Sequence, residues 1–252
     1  MSDSVKREMT GRSTRPVAEG RGTSPATATV EDYLALLHVF ERDGRPAIAT
    51  RLAEQVGVAL PTATATIKRM VRDGWVTVDE KKEVHLTPAG RQVARSVLRR
   101  HFLLELLLRK VLDLPWSRIH EEAHAMEHTV SEETLAQLES KLNYPATCPH
   151  GNPLPGEEQA VAHWIKLTEM ASGETVIIRR IHEFAEDKAD LMAFLEANNL
   201  VPGTKIVVRD VLPFNQTMTL DVAGRTVVLG MATAEWIYVE ANSRRQRSGQ
   251  LA

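Results

Sequence analysis

Residues 47–78 read AIATRLAEQVGVALPTATATIKRMVRDGWVTV and contain two short helical patterns separated by a turn around Gly57. The second pattern has Pro61 near its first position, where a missing backbone N–H is tolerated. After Gly74, the segments WVTV and EVHLT alternate around the polar turn DEKK, which predicts a small β-hairpin. Two helices, a tight turn and a hairpin predict a winged helix-turn-helix.

The preceding segment VEDYLALLHVFERDG has apolar residues at helical spacing, which predicts a first helix with Thr29 as its cap and Gly44 as its end. The helix from Pro61 to Asp73 is the predicted recognition helix, with small and basic side chains for base edges and phosphates. The candidate DNA-contacting residues are Pro61, Thr62, Thr64, Ala65, Lys68, Arg69 and Arg72. A winged helix used only for protein contacts is the alternative.

The nine residues HEEAHAMEH, which begin at His120, predict a metal site. Residues three or four apart share a helix face, so His124, Glu127 and His128 can direct imidazole and carboxylate donors at one cation. Such donors suit first-row divalent metals. The alternative is a solvated helix face with structural histidines, in which case the chain would be a metal-independent DNA-binding protein.

The same stretch also permits an enzyme interpretation. In HEEAH, His120 and His124 would bind zinc and Glu121 would be the general base of a zinc metallohydrolase. This interpretation leaves Glu127, His128 and the winged helix without a role. We therefore predict that the chain is not an enzyme, with the hydrolase kept as the rival function.

Helical patterns continue through Thr87–Leu112 and Trp116–Leu142, and both are strongly apolar. Readers of DNA with this motif commonly act as twofold dimers on palindromic sites. The run LLELLL in the first pattern, and Ile119, Ala123, Met126 and Leu135 in the second, therefore predict a helix–helix homodimer interface. On the helix of the first pattern, His101 and Glu105 lie four residues apart and would add two metal ligands.

Composition limits the class of protein. The 252 residues are 43% hydrophobic and 25% charged, with a net charge of −2, which is ordinary globular composition. No apolar run approaches the length of a membrane span, and the first residues lack the apolar core of a signal peptide. The single cysteine, Cys148, cannot form an internal disulfide. We expect a cytoplasmic protein without a membrane partner.

The predicted fold class is α+β. We predict a disordered arm (1–28), a winged helix-turn-helix domain (29–96), a helical metal-binding and dimerisation domain (97–147), a linker (148–164), a small SH3-like domain (165–241) and a disordered tail (242–252). The linker assignment rests on CPHGNPLPG, and the SH3-like assignment rests on β-branched runs typical of five short strands in a small barrel, with one helical piece, DLMAFLEANN.

The whole pattern resembles the metal-dependent transcriptional repressors of the diphtheria toxin repressor and manganese transport regulator family. The resemblance is carried by TVEDYL, LPTATATIKRMVRDGWV, LTPAGR, RRHFLLELLL, HEEAHAMEHTVSEE and CPHGNPLPG, in that order, and by a C-terminal segment like the small SH3-like (FeoA-like) domain of the family. It implies a sensor of Fe²⁺ or Mn²⁺ that controls metal homeostasis genes. In such a repressor, bound metal settles the first helix and orients the two recognition helices of a homodimer on palindromic double-stranded operator DNA.

The resemblance also implies metal ligands. The primary site would combine Asp32 of the first helix with His124, Glu127 and His128, and His101 would lie nearby. The family usually has Cys or Glu where this chain has His124, and the extra imidazole favours Zn²⁺, Fe²⁺ or Co²⁺ relative to Mn²⁺. Some manganese-responsive members have a carboxylate where this chain has Ala35, which argues against their paired-manganese arrangement.

A second metal site is implied by the similarity of CPHG to a metal-binding turn in family members with the C-terminal domain. It would contain Cys148 and His150, with Glu105 and one acidic residue from HEFAEDKAD. Both Asp187 and Asp190 are open as that acidic donor. In part of the family, the position of His120 also holds a ligand of an ancillary site.

Overall fold

The computed structural model describes residues 26–241. The predicted disordered arm lies outside the described residues except for its last three positions, and the predicted tail lies wholly outside them. Within the described range, helices and antiparallel strands occur together, as the predicted α+β class requires. No helix in that range is long and apolar enough to cross a membrane.

The N-terminal unit has three helices followed by a hairpin. Its elements are α1 (Ala28–Arg42), α2 (Ala49–Val56), α3 (Leu60–Arg72), β1 (Val76–Val78) and β2 (Val84–Leu86). The cap of α1 is Thr27, two residues before the predicted Thr29. Gly57 ends α2 in the left-handed conformation that glycine adopts without strain. The two strands pair antiparallel from Val76 to Leu86 and form the wing.

The helical unit is less continuous than the sequence pattern predicts. Its elements are α4 (Pro88–Lys110), α5 (Ile119–Met126), α6 (Glu132–Lys141) and the short α7 (Glu158–Val161). The prediction of one helical stretch from Trp116 to Leu142 is wrong, because Ser131 accepts a hydrogen bond from the backbone of Thr134 and begins a new helix. Glu127 and His128 therefore lie in the bend between α5 and α6.

Most leucines of the run LLELLL are already buried within the protomer. Leu103, Leu104, Leu106 and Leu108 are each at most 3% exposed within this one chain. They are divided between the N-terminal core and the C-terminal core, because α4 passes between the two. The apolar character of this run is therefore explained by packing inside the protomer, and the helix–helix dimer interface predicted for the two helical patterns stays a prediction.

The C-terminal unit is built on a six-stranded antiparallel sheet with strand order β3-β8-β4-β5-β6-β7. Its elements are β3 (Ile165–Lys166), β4 (Thr175–Ile181), α8 (Glu183–Glu186), α9 (Ala189–Ala197), β5 (Lys205–Leu212), β6 (Thr217–Val222), β7 (Arg225–Gly230), α10 (Met231–Ala234) and β8 (Ile237–Ala241). The sequence predicted five strands. The sixth, β3, has two residues and is too short to show an alternating pattern.

The C-terminal unit contacts the end of α1 through charged and aromatic side chains. The guanidinium of Arg42 donates to both carboxylate oxygens of Glu183, at 2.6 and 3.0 Å. Asp43 lies 2.5 Å from the ring of His182. Phe184 inserts its ring into the N-terminal core, 5.2 Å from that of Phe40. These contacts place α8 against the helical unit, beside the predicted metal ligands.

Candidate metal centre

Four of the predicted ligands form one group, which we call site A: Asp32, His124, Glu127 and His128. One ligand atom from each residue lies within 4.8 Å of the others. Asp32 comes from α1, whereas His124 lies on α5 and the other two follow it. Site A therefore joins the first helix of the N-terminal unit to the helical unit.

Glu127 is the central acceptor of site A. Its Oε1 lies 2.9 Å from His124 Nδ1 and 3.4 Å from His128 Nε2, while its Oε2 lies 2.6 Å from His101 Nδ1. Burial works against ionisation of this carboxyl, but the bonds to His101 and His124 prevail and lower its pKa to about 2. Glu127 is therefore an anion in the folded protein and needs no proton removed before it binds a cation.

The carboxylate of Asp32 has an oxygen atom that is available to bind a cation. Its Oδ1 lies 3.1 Å from His128 Nε2 but is buried without an aligned hydrogen bond among the described residues. Burial raises the pKa of Asp32, against the opposing influence of His124 and His128. A buried carboxylate oxygen without a partner costs free energy, and a divalent cation between Asp32 and Glu127 would remove that cost.

A second group lies deeper, and we call it cluster B: His101, Glu105, His120, Cys148, His150 and Glu186. Glu105 is at its centre. The Oε1 atom of Glu105 lies 3.1 Å from His101 Nε2, 3.1 Å from His150 Nδ1 and 3.5 Å from His120 Nδ1. The carboxylates of Glu105 and Glu186 are fully buried. Cluster B therefore draws side chains from α4, α5, the CPHG turn and α8.

The CPHG turn is held by the C-terminal sheet. Gly151 has a φ of +87°, and a Cβ there would lie 1.9 Å from the carbonyl oxygen of Arg179, so only glycine fits. The carbonyl of His150 accepts from the backbone of Ile181 at 2.8 Å. The turn thus presents Cys148 and His150 to α4 by packing on the strand that leads into α8.

The ionisable groups of cluster B perturb one another. Burial and repulsion from Glu105 raise the pKa of Glu186, against the influence of the nearby imidazoles. Burial opposes ionisation of Glu105 too, but His150 and His101 hold its pKa well below the ordinary value. Burial and the two carboxylates raise the pKa of the Cys148 thiol well above its ordinary value. A cation that binds the thiolate must therefore displace a proton.

The structure brings all nine predicted metal ligands into site A or cluster B, and adds one. Glu186 of HEFAEDKAD lies with His101, Glu105 and His120, whereas Asp190 is exposed and belongs to neither group. Asp187 lies behind His120, with 3.1 Å between its Oδ1 and Nε2 of the ring. Glu186 was missed because its spacing carries no signal. Its apolar neighbours Phe184 and Ala185 were the available hint of burial.

Both groups are reached from one cavity of about 410 Å³ between α1, α4 and α8. Asp32, His124 and Glu127 of site A line it, as do His101, His120 and Glu186 of cluster B. The cavity offers an ion a route to either group. The zinc hydrolase arrangement is absent from the described residues, because His120 faces cluster B while His124 faces site A and the two do not converge on one ion.

The predicted DNA-contacting residues lie along α3. Pro61, Thr62, Ala65, Lys68, Arg69 and Arg72 are exposed, and Thr64 is half-buried. Two of these side chains have partners within the chain. The hydroxyl of Thr64 donates a hydrogen bond to the carbonyl of Leu60 at 2.8 Å, and Arg72 forms a salt bridge with Asp73 at 2.8 Å. Direct hydrogen bonds from Thr64 to a base would require its hydroxyl to turn away from the helix backbone.

Each of the three units of the chain matches the model of a known domain family. Residues 25–84 match the iron dependent repressor N-terminal DNA binding domain, residues 87–156 the iron dependent repressor metal binding and dimerisation domain, and residues 165–241 the FeoA domain. The chain is 34% identical over 211 residues to the iron-dependent repressor IdeR of Mycobacterium leprae, which covers 76% of this chain and 92% of that protein. It is 39% identical over 131 residues to the diphtheria toxin repressor of Corynebacterium jeikeium, covering 52% and 55%.

Solved structures agree in fold. IdeR of T. acidophilum has a TM-score of 0.68 at 28% identity, covering 84% of this chain and 97% of that one. ScaR with bound Zn²⁺ has a TM-score of 0.71 at 31% identity, covering 84% and 98%. These relatives are repressors, which disfavours the hydrolase and the metal-independent protein as alternatives. The chain belongs to the iron-dependent repressor family, the diphtheria toxin repressor and manganese transport regulator group of metal-dependent transcriptional regulators.

Proposed function

We propose that this chain is a cytoplasmic homodimeric repressor that binds palindromic operator DNA when Fe²⁺ or Mn²⁺ binds at site A, and so controls metal homeostasis genes. One observation carries the proposal. Asp32 on α1 and its three partners on and after α5 form a single donor group with an unsatisfied buried oxygen. A cation at that position would tie the DNA-binding unit to the helical unit.

The residues of site A would bind the ion directly, and their neighbours would orient them. His128 has Nε2 towards Asp32, and its Nδ1 lies 2.7 Å from Glu31 Oε2. A histidine that gives one nitrogen to a metal commonly donates the other N–H to a carboxylate, which fixes the ring. Glu31 also accepts from Arg100 at 2.9 Å, so the start of α1 is linked both to α4 and to the bend after α5.

The donor chemistry favours borderline ions. Site A offers two imidazoles and two carboxylates, and Ala35 adds no oxygen donor. Compared with an all-carboxylate arrangement, the second imidazole improves binding of Fe²⁺, Co²⁺ or Zn²⁺ relative to Mn²⁺. We therefore propose Fe²⁺ before Mn²⁺ as the physiological signal, with Zn²⁺ and Co²⁺ able to occupy the same residues. Cluster B would be a second metal site.

The first prediction concerns Asp32. Asp32→Asn keeps the shape of the side chain but removes its charge and one metal-binding oxygen, so DNA binding activated by metal should weaken by at least about 10–100-fold. Fluorescence anisotropy of labelled operator DNA across a metal titration measures this loss. Asp190→Asn is the matched control, since Asp190 is exposed and outside both groups. An unchanged metal response in Asp32→Asn, with the fold intact by circular dichroism, would contradict the proposed site.

The second prediction concerns pH. An imidazole must lose its proton to bind metal, and free histidine titrates near about 6.5. Burial opposes protonation of His101, but the hydrogen bonds of this imidazole to Glu105 and Glu127 outweigh burial and raise its pKa to about 9. The hydrogen bond between His124 and Glu127 likewise raises the pKa of His124. Apparent metal affinity should therefore keep rising with pH from neutrality towards about 9. The release of protons should be measurable at pH 7 by calorimetry in two buffers of different ionisation enthalpy. No difference between the buffers would disprove the expected competition.

The third prediction concerns metal choice. His124→Glu replaces a nitrogen donor with a hard oxygen and adds negative charge, so activation should shift towards Mn²⁺. We expect the ratio of Mn²⁺ to Co²⁺ concentrations at half-maximal DNA binding to fall on the order of tenfold, about 1.4 kcal/mol. The same substitution at His163, a half-exposed histidine that belongs to neither group, is the control. A constant ratio would show that His124 does not bind the metal.

The fourth prediction concerns the recognition helix. Arg69 is exposed on α3, and its charge would meet a phosphate. Arg69→Ala should weaken binding similarly for all DNA sequences and make the logarithmic salt dependence shallower by about 1. Arg225→Ala, at an exposed position of β7, provides the control. If Arg69→Ala leaves affinity and salt slope unchanged, the DNA-binding surface lies elsewhere.

A further inference from the structure

We propose that Leu60 is a specificity-determining residue whose side chain contacts the 5-methyl group of a thymine in each half of the operator. This inference deepens the proposed function and rests on it, since it names the feature of DNA that the first turn of α3 recognises. Three observations carry it: the exposure of Leu60, the composition of the first two turns of α3, and the hydrogen bond made by the hydroxyl of Thr64.

Leu60 is an exposed apolar side chain at the start of the recognition helix. It is the first residue of α3 and is 44% exposed, whereas Ala63, Ile67 and Met70 of the same helix are buried. A single exposed leucine is common on protein surfaces. In a helix-turn-helix protein, however, the first residues of the second helix enter the major groove and reach the base edges. Leu60 is therefore covered when DNA binds.

The first two turns of α3 have no side chain suited to a bidentate hydrogen bond with a base. Residues 60–66 read LPTATAT, and the first basic residue of the helix is Lys68 in its third turn. The side chains that make bidentate bonds to guanine or adenine in the major groove are those of Arg, Lys, Asn and Gln. Direct recognition by these turns is therefore limited to single hydroxyl bonds and apolar contacts.

Thr64 lies beside Leu60 and extends its apolar surface. The two residues are four positions apart and share one side of the helix. The hydroxyl of Thr64 donates its hydrogen to the carbonyl of Leu60 at 2.8 Å, so that hydrogen is used within α3 and is not available to a base. Lys68, four positions further on, is exposed and adds a charge suited to a phosphate. The side of α3 that begins at Leu60 is thus apolar first and cationic last.

Thymine presents the one apolar group of the major groove. Guanine, adenine and cytosine show donors and acceptors there, and only thymine adds a methyl group, at C5. A leucine cannot bond to donors and acceptors, so covering them leaves them without partners, whereas covering a methyl group is favourable. Leu60 therefore favours thymine over cytosine at the position that it covers, because cytosine has a hydrogen at C5.

Replacement of thymine by uracil tests the contact, since uracil differs from thymine only in lacking the 5-methyl group. The probe is the duplex that the full-length wild type selects from a random DNA pool in the presence of Co²⁺. Each thymine of one half-site and its symmetry mate are replaced together by deoxyuridine, and affinity is measured by fluorescence anisotropy. At one symmetric pair, affinity should fall about fourfold for each methyl group removed, the loss expected for one buried carbon.

Variants of Leu60 separate a base contact from a structural role. In Leu60→Ala, the thymine and uracil duplexes should bind equally at that pair, whereas loss of a merely structural residue would weaken both and leave their ratio unchanged. Leu60→Met keeps an apolar side chain of similar size and should keep most of the ratio. Val71→Ala is the matched control, because Val71 is 43% exposed in the last turn of α3. Circular dichroism checks that each variant is folded.

Cytosine methylation separates a methyl contact from a change in DNA flexibility. Exchange of the identified T·A pair for C·G should weaken binding of the wild type, and 5-methylcytosine at that position should recover about fourfold, because it restores the methyl group at the same place in the groove. The Leu60→Ala variant should not respond to this methylation. A loss caused by altered flexibility alone would persist in the Leu60→Ala variant.

Two results would overturn the role of Leu60: a selected duplex in which no uracil replacement changes affinity, or a uracil effect of equal size in the wild type and Leu60→Ala. Repeating the measurements without Co²⁺ distinguishes the two proposals. A uracil effect that depends on Leu60 but not on metal would refute metal-activated repression alone. Metal-activated binding without an effect that depends on Leu60 would refute the role of Leu60 alone. A pool from which no sequence is enriched would overturn both.

Discussion

The buried carboxylate of Glu127 is the interaction on which the rest of the arrangement depends. The residue is 3% exposed. One carboxylate oxygen contacts His101 of α4, and the other contacts the histidines on and after α5. An unpaired carboxylate in such a position would cost several kcal/mol, so the packing of α5 on α4 depends on the buried imidazole of His101 beside Glu127. Folding of the helical unit therefore assembles three of the four ligands of site A and links site A to cluster B through the ring of His101.

The fourth ligand, Asp32, lies on α1, and α1 is held at both ends by other units. Near its start, Glu31 contacts Arg100 and His128. At its end, Arg42 and Asp43 contact Glu183 and His182 of the C-terminal unit. These contacts involve buried or half-buried charged groups, which are costly to separate from their partners. The orientation of α1 relative to the helical and C-terminal units therefore depends on contacts at both of its ends.

The sequence contains enough information for the elements but not for all of their contacts. The apolar period predicts α1, and Pro61, Gly57 and Gly74 mark the boundaries of the helix-turn-helix unit because local backbone preferences decide them. The ligand spacing from His120 to His128 likewise predicts a metal site, and the structure places those residues in two donor groups. The break before Ser131 was missed because the apolar pattern continues across it.

Other features depend on tertiary packing that no local pattern encodes. The run LLELLL is apolar whether it meets a second chain or lies between two cores of its own chain, so its burial could not be assigned from the sequence. Glu186 follows Ala185 in a four-residue helix, and only the docking of that helix brings its carboxylate to Glu105 and His150. Cluster B draws its members from four separate segments, which explains why sequence spacing indicates its individual residues better than their arrangement.

The ligands of site A also differ in how far the fold constrains them. The side chain of Glu127 is 4% exposed and is needed for packing, whereas that of His124 is 57% exposed and contacts Glu127 from the rim. A change at Glu127 would leave the ring of His101 without its acceptor, while a change at His124 alters the donor set without breaking the core. Metal preference can therefore vary at His124 at little cost in stability. This is the position at which the chain departs from the Cys or Glu usual in the family it resembles.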